Sequence, residues 1–377
     1  MKRTLFQKLS LHYFLYFAVL GTILPYLALY FQSLNMSAIE IGQLLGIMML
    51  TKVIAPNIWG WLADRSGKHI YWVRLATALT VVAGSGLLFF ESYWPLFITL
   101  FLFSFFWHAS LPQFETFTFA SLGDDKHRYG EIRLWGSVGF IAAVVLIGWQ
   151  VDYFSIDWVP IDLFILLIAV WLSSYLVSDV CVKHEAEHGH HFLKIVKRPE
   201  VAALLIVSFL VQLSHGVYYT FYTIQLTDLG YENTTIAWLW ALGVIAEIAV
   251  FIWMSQIFKH YSIRVLILLS IALTIIRWLM IGFVDDSFAV LLFAQFLHAA
   301  SFGLFHAAAI YLIDQYFRGP HQGKGQALFA ASSHGLGGAV GMFIAGYAWT
   351  LGGAELGYGL SALVVLIALL IGYKWVR

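Results

Sequence analysis

Lysine and arginine are unevenly spread along this chain, and that unevenness narrows what it can fold into. Between its polar breaks lie about twelve apolar runs, each near the ~20 residues that a helix needs to cross a bilayer. They centre near residues 20, 50, 80, 107, 140, 168, 212, 245, 272, 302, 335 and 363. The odd-numbered connections fall near residues 32–39, 91–95, 151–159, 227–235, 283–288 and 350–357. They carry acids such as Glu91, Asp152, Asp228, Asp285 and Glu355, but no Lys or Arg. The even connections and both ends hold the basic residues, from Lys2, Arg3 and Lys8 through Arg65, Lys68, Lys126 and Arg128 to Lys374 and Arg377. Basic residues in short loops stay cytoplasmic because translocating them is costly. One helix too many or too few would scramble this alternation. The chain therefore reads as an all-α membrane protein with twelve transmembrane helices and both termini cytoplasmic, in an inner membrane.

Composition agrees, with 61% hydrophobic and 11% charged residues and a mean hydropathy of +0.81, outside the soluble range. Twelve spans use roughly 240 positions, leaving short loops and no room for a soluble catalytic domain. An enzyme is not expected. Gly319-Pro320-His321-Gln322-Gly323-Lys324-Gly325 has a Gly-Lys pair but lacks the Ser/Thr and preceding strand of a phosphate loop. A net charge of +0 favours no nucleic-acid partner, and no cofactor is expected. The single cysteine, Cys181, excludes an internal disulfide. Met1-Lys2-Arg3 before an apolar run mimics a signal peptide, but no small-residue cleavage site follows, so the run reads as the first helix.

The longest polar stretch, near 180–199, separates six runs from six. Its Lys183–His191 section, rich in His and Glu, lacks the spacing and Cys ligands of a zinc site and reads as a solvated linker. The expected organisation is a six-helix bundle over 1–180, a cytoplasmic linker over 181–199 and a second bundle over 200–377. A repeat at an offset of 190 residues supports duplication. Tyr71-Trp72-Val73-Arg74-Leu75 answers Tyr261-Ser262-Ile263-Arg264-Val265, and Trp107-His108-Ala109-Ser110 answers Leu297-His298-Ala299-Ala300. Duplicated halves suit a transporter that exposes a site alternately to each side.

Between runs 2 and 3 stands Gly60-Trp61-Leu62-Ala63-Asp64-Arg65-Ser66-Gly67-Lys68. Gly60 permits close helix approach. Asp64 near a helix C-terminus is disfavoured unless a cation or another helix N-terminus meets it, which makes a breakable contact. The segment resembles the major facilitator superfamily signature, Gly-x-Leu-x-Asp-Arg-x-Gly-Arg/Lys, in its proper loop. The resemblance implies that Gly60, Asp64, Arg65 and Gly67 belong to a cytoplasmic gate.

A buried charge costs about 2.5–3.5 kcal/mol even on the lenient insertion scale, so those that persist usually have tasks. Lys52, Arg74, Arg133 and Arg277 fall within runs, with Arg74 at an interfacial start. Glu115 and Glu247 are the matching acids. Asp162 reads as an interfacial first-turn acid, and Asp314 is expected to pair with Arg318 four residues on. Pro112-Gln113-Phe114-Glu115 and Tyr129-Gly130-Glu131-Ile132-Arg133-Leu134-Trp135-Gly136-Ser137-Val138-Gly139 resemble helices 4 and 5 of the lactose permease family. That resemblance implies a Glu115–Arg133 pair in contact with substrate. Phe140, Gln295 and Ser301 depart from that family's stacking Trp, Lys and coupling Glu, which argues against a galactoside.

Leu213-Ser214-His215-Gly216-Val217-Tyr218-Tyr219, Leu239-Trp240-Ala241-Leu242-Gly243-Val244-Ile245-Ala246-Glu247 and Arg277-Trp278 are similar to the phenylpropionate permease branch. The implied activity is proton-coupled symport of a small organic solute, an aromatic monocarboxylate before a sugar or nucleoside. A drug antiporter or a non-transporting receptor ranks below these. Expected substrate contacts are Lys52, Glu115, Arg133, Phe140, His215 and Trp240, with Trp135 and Trp238 as further cavity walls. Coupling is expected at Glu247, Arg277 and His298. His108, His306 and His334 are further in-run histidines, a side chain that titrates near neutral pH. The partners are a solute, protons and bilayer lipid, with the chain acting as a monomer.

Overall fold

The computed structural model describes residues 3–178 and 192–376. Cys181 and the His- and Glu-rich part of the expected linker lie outside them. Helix is the regular structure throughout, with no strand among the described residues. We number the long helices α1 (Arg3–Ser33), α2 (Ala38–Ser66), α3 (His69–Gly84), α4 (Tyr93–Leu122), α5 (Tyr129–Tyr153), α6 (Val159–Ser173), α7 (Pro199–Asp228), α8 (Asn233–His260), α9 (Ile263–Phe283), α10 (Phe288–Tyr316), α11 (322–351) and α12 (354–375).

The punctuation is local chemistry. Gly67 sits at φ 65° and donates its N–H to Ala63 O at 2.9 Å, ending α2 with the left-handed residue that glycine alone adopts cheaply. Gly353, at φ 58°, breaks the apolar stretch Gln322–Trp375 into α11 and α12. The stretch Tyr93–Tyr153 has 61 residues and is interrupted by a 3₁₀ segment at Gly123–Arg128. As one rod it would run about 90 Å, three bilayer cores, so it makes two crossings. Ten apolar stretches thus supply the twelve expected helices. Pro160 and Pro199 stand in the first turns of α6 and α7, where a missing N–H costs nothing.

The chain divides into two compact units. The first holds Met1–Met36, Ile47–Glu185 and Tyr231–Ala237; the second holds Ser37–Gly46, Ala186–Gly230 and Trp238–Arg377. In the first unit α1 lies against α5 at glycine contacts. A Cβ on Gly139 would stand 2.0 Å from Phe14 O, and one on Gly21 would stand 2.6 Å from Phe140 O. In the second unit α7 lies against α11 in the same manner, with Gly341 on Leu213 O and Gly337 on Phe209 O. Leu9, Tyr13, Ile70, Val73, Phe114 and Ile132 form a core in the first unit. There Asp152 also accepts from N–H and side-chain groups of Asn233 and Thr234 at 2.6–2.9 Å, holding a carboxylate at the N-terminus of α8.

The sequence repeat has a structural counterpart. Arg74 donates to Ser174 O and Val177 O beyond the end of α6, and Arg264 donates to Tyr373 O in the last turn of α12. Each cation meets carbonyls at a helix C-terminus. Asp162 lies in the first turn of α6 as expected and accepts from Gln150 Nε2 at 2.8 Å. Asp314 does not pair with Arg318. It accepts from Gln326 Nε2 at 2.8 Å, while Arg318 turns back to Gln315. Three π-helical segments interrupt α1, α10 and α11, at Ile23–Leu27, Ala299–Leu304 and Ala331–Gly337.

Candidate functional site

Each unit carries its own cluster of charged and aromatic side chains. In the first, α4 presents Glu115 and α5 presents Tyr129 and Arg133. The Tyr129 hydroxyl donates to Glu115 Oε1 at 3.0 Å. The Arg133 guanidinium lies 3.8 Å from the ring centroid of Phe17 and 5.9 Å from that of Tyr13. Gly136 leaves it that space, since a Cβ there would stand 2.9 Å from Arg133 Nη1. Arg133 and Glu115 are in electrostatic range without a direct ion pair among the described residues. Cation–π contact thus holds the guanidinium where a direct carboxylate contact was expected.

Lys52 is half-buried on α2. Its neighbour Thr51 hydrogen-bonds His108 Nδ1 at 2.8 Å, and Lys52 itself is in electrostatic range of that histidine. Among the described residues Lys52 has no ion-pair partner. Phe140 is buried in the seam between α1 and α5. The four residues expected to form the gate, Gly60, Asp64, Arg65 and Gly67, stand at the end of α2. Gly60 faces Gln113 Nε2, Gly67 terminates the helix, and Arg65 lies 5.5 Å from the ring of Trp61. Asp64 is 3.7 Å from Nε2 of the buried His69, whose Nδ1 meets Gln113 Oε1 at 2.8 Å. His69 and Gln113 thereby connect Asp64 to α4, two residues before Glu115. Neither was marked by the motif.

The second unit buries a cation completely. Arg277 on α9 is 0% exposed. Its Nε donates to Ala294 O at 3.0 Å and Nη1 to Ser301 Oγ at 3.3 Å, whereas Nη2 has no hydrogen-bond partner. The guanidinium lies 4.2 Å from the Tyr218 ring and 4.7 Å from the Trp278 ring. Arg277 is therefore not ion-paired to Glu247, the partner expected from the adjacent helix. It turns to α10 instead, and among the described residues no carboxylate reaches it. Tyr218 donates to Gln295 Oε1 at 3.0 Å, and Gln295 donates to the Tyr222 hydroxyl at 2.7 Å. Trp240 packs 4.7 Å from Tyr218 and donates to Thr223. Trp135 and Trp238, at 45% and 55% exposed, stand outside this buried ring cluster.

His215 is buried against Trp278, with Nδ1 on Val211 O at 2.8 Å. His298 stacks on Phe302 and lies beside Gly243, where a Cβ would come within 3.2 Å of its ring. Glu247 approaches the same helix at Gly303, whose added Cβ would be 2.9 Å from Glu247 Cγ. Glycines on α8 and α10 thus let the two helices approach at both expected coupling groups, His298 of α10 and Glu247 of α8. Tyr218, Tyr222 and Tyr13 were not among the expected contacts. Tyr218 stood in the Leu213–Tyr219 segment quoted above, whereas the only signal for Tyr222 and Tyr13 was tyrosine within otherwise apolar runs.

Residues 6–359 match the MFS_1 like family. The chain belongs to that family. Its relatives and its fold are those of major facilitator transporters, not enzymes, and it is a multi-pass membrane protein. The probable 3-phenylpropionic acid transporter of Escherichia coli (strain K12) is 28% identical over 96% of this chain and 94% of that protein. The maltose permease of Geobacillus stearothermophilus is 24% identical, covering 96% and 93%. The crystal structure of the nucleoside transporter NupG superposes with a TM-score of 0.85 at 17% identity, covering 98% of each chain. That last similarity concerns the fold.

Proposed function

We propose that this MFS_1-like chain is a proton-coupled symporter of a small aromatic monocarboxylate, of 3-phenylpropionate type, working by alternating access with both termini cytoplasmic. The observation that carries the reading is Arg277, fully buried among Tyr218 and Trp278 with Nη2 unpartnered. A buried cation with no counter-charge is costly, and an arriving carboxylate relieves that cost. The aromatic rings around it suit a phenyl group. Lys52 and Arg133 add positive charge in the first unit, where Glu115 offsets one of them. Glu247, half-buried on α8 and packed on Gly303 of α10, is the coupling carboxylate, because acids that persist inside membrane helices usually have a task. Asp64 serves the gate.

A neutral polyol or nucleoside is the second reading. The Tyr218–Gln295–Tyr222 chain favours it by offering hydrogen-bonding groups to hydroxyls. A comparison of 3-phenylpropionate, 3-phenylpropionamide, maltose and a nucleoside on the purified protein separates the two. A ligand at 100 times its dissociation constant adds about 2.7 kcal/mol of stability. Thermal stabilisation and counterflow in proteoliposomes should appear with the acid and not with its amide. Stabilisation by maltose or the nucleoside alone would overturn the carboxylate reading.

A further inference from the structure

An open groove runs along the second unit between α9 and α12. Val265, Leu269 and Ala272 line it from α9, and Leu369, Leu370 and Tyr373 line it from α12. Its volume is about 470 Å³, and no charged side chain stands in its walls. Val265, Leu269, Leu370 and Tyr373 are all exposed, so the groove opens away from the protein interior. The two helices meet beside it at Gly372, where an added Cβ would touch Leu268 at 3.4 Å. From Arg264 to Ala272 is eight residues, or about 12 Å of helix. That is most of the ~15 Å of hydrocarbon in one leaflet, half of a ~30 Å core.

The polar end of the groove is basic. Arg264 in the first turn of α9, Lys374 in the last turn of α12 and Lys259 in the last turn of α8 are exposed at that end. Arg264 donates Nη2 to Tyr373 O at 2.6 Å, which fixes its guanidinium beside a residue that lines the groove. Lys374 Nζ lies 5.1 Å from the Trp375 ring. Among the described residues neither cation has an ion-pair partner. The repeat supplies a contrast. Arg74 is half-buried and donates through both Nε and Nη2, whereas Arg264 is exposed and donates through Nη2 alone. Exposed Tyr261, Tyr373 and Trp375 stand at the same end, the residue types that sit at headgroup level. Glu200 shares a separate hollow with Trp375 and lies outside this groove.

We propose that the groove binds an anionic glycerophospholipid. One acyl chain lies along Val265–Ala272, and the phosphate accepts from Arg264 with Lys374 beside it. The site belongs to the cytoplasmic leaflet, a placement that rests on the reading of both termini as cytoplasmic. Apolar walls by themselves take any lipid chain; the two cations select the headgroup. A guanidinium with donors to spare suits a phosphate. Each Lys or Arg near the headgroups strengthens binding of anionic lipid about fivefold. A phosphatidylcholine brings its own cation next to the phosphate and loses that advantage.

Native mass spectrometry of the delipidated full-length protein, titrated with phosphatidylglycerol or with phosphatidylcholine of the same chains, tests the site. Phosphatidylglycerol should bind at least about fivefold more tightly. Arg264→Gln and Lys374→Gln should each weaken it about fivefold and leave phosphatidylcholine unchanged. Lys374 makes no helix-capping bond, so its variant still reports if Arg264→Gln fails to fold. Ala272→Trp, which fills the groove, should weaken both lipids. Equal affinity of the wild type for the two lipids, or undiminished phosphatidylglycerol binding in any folded variant, overturns the proposal. Displacement by glycerol 1-phosphate, which has no chains, would make this a site for soluble phosphate and overturn it as well. So would a dimer of the delipidated protein that Ala272→Trp dissolves, since the groove would then hold a second copy of the chain. Labelling of the termini tests the leaflet separately: external termini would correct the sidedness and leave the lipid site standing.

Discussion

Lys52 and Arg277 owe their interest to what surrounds them. Each is a cation in a membrane helix to which no described carboxylate pairs, whereas Arg133 has Glu115 in range and two rings beneath it. If Lys52 helps to receive an anionic solute, charge-neutral Lys52→Met should weaken binding of 3-phenylpropionate about tenfold, or about 1.4 kcal/mol. Binding of its amide should hardly change. Calorimetric titration of both ligands checks this, and equal losses would make Lys52 a structural residue. Asp64 poses a different question, because its neighbour is a buried histidine tied to Gln113. Asp64→Asn should slow transport severely and leave ligand affinity nearly intact. Lost affinity in a folded variant would move Asp64 from the gate to the binding site.

At the level of helices, α1 against α5 and α7 against α11 are the close contacts of their units. Both depend on glycines that meet backbone carbonyls. The Gly136-x-x-Gly139 spacing, which marks the resemblance to lactose permeases, therefore has a packing cause. Gly139→Ala would drive a Cβ into Phe14 O, and overpacking of this kind costs about 1–3 kcal/mol. Gly130→Ala, on the same helix with nothing within 4 Å, should be neutral or stabilising by up to about 1 kcal/mol. Melting temperatures of the two variants in one detergent test the contrast. Similar values would mean that α1 and α5 can separate at little cost. The π-helical segments belong to this scale as well, since they set the direction of Ser301, Ser333 and His334 within them and of His306 just after one of them.

For the whole molecule, the proposed symport requires that solute and proton be linked, and Glu247 is the residue proposed to link them. Glu247→Gln should abolish uphill accumulation under a pH gradient while still permitting solute exchange between equal compartments. A variant that continues to concentrate 3-phenylpropionate would remove Glu247 from the coupling role and shift it to the histidines, His298 first. The alternation of acidic and basic connections bears on the same scale. It predicts that labels at both chain termini react only from the cytoplasmic side.

The helical membrane fold, a helix count consistent with twelve and the glycine that ends α2 were legible in the amino-acid order. A bilayer makes hydropathy, loop charge and turn glycines act locally. The presence of costly charges at positions 52, 115, 133, 247 and 277 was legible for the same reason. Their partners were not. Arg277 was matched to Glu247 across adjacent helices, yet it bonds Ala294 O and Ser301. Asp314 was matched to Arg318 one turn away, yet it meets Gln326. The link from Asp64 through His69 to Gln113 left no mark in spacing either. Such contacts depend on side-chain direction and on which helices lie side by side, and helical periodicity alone carries neither.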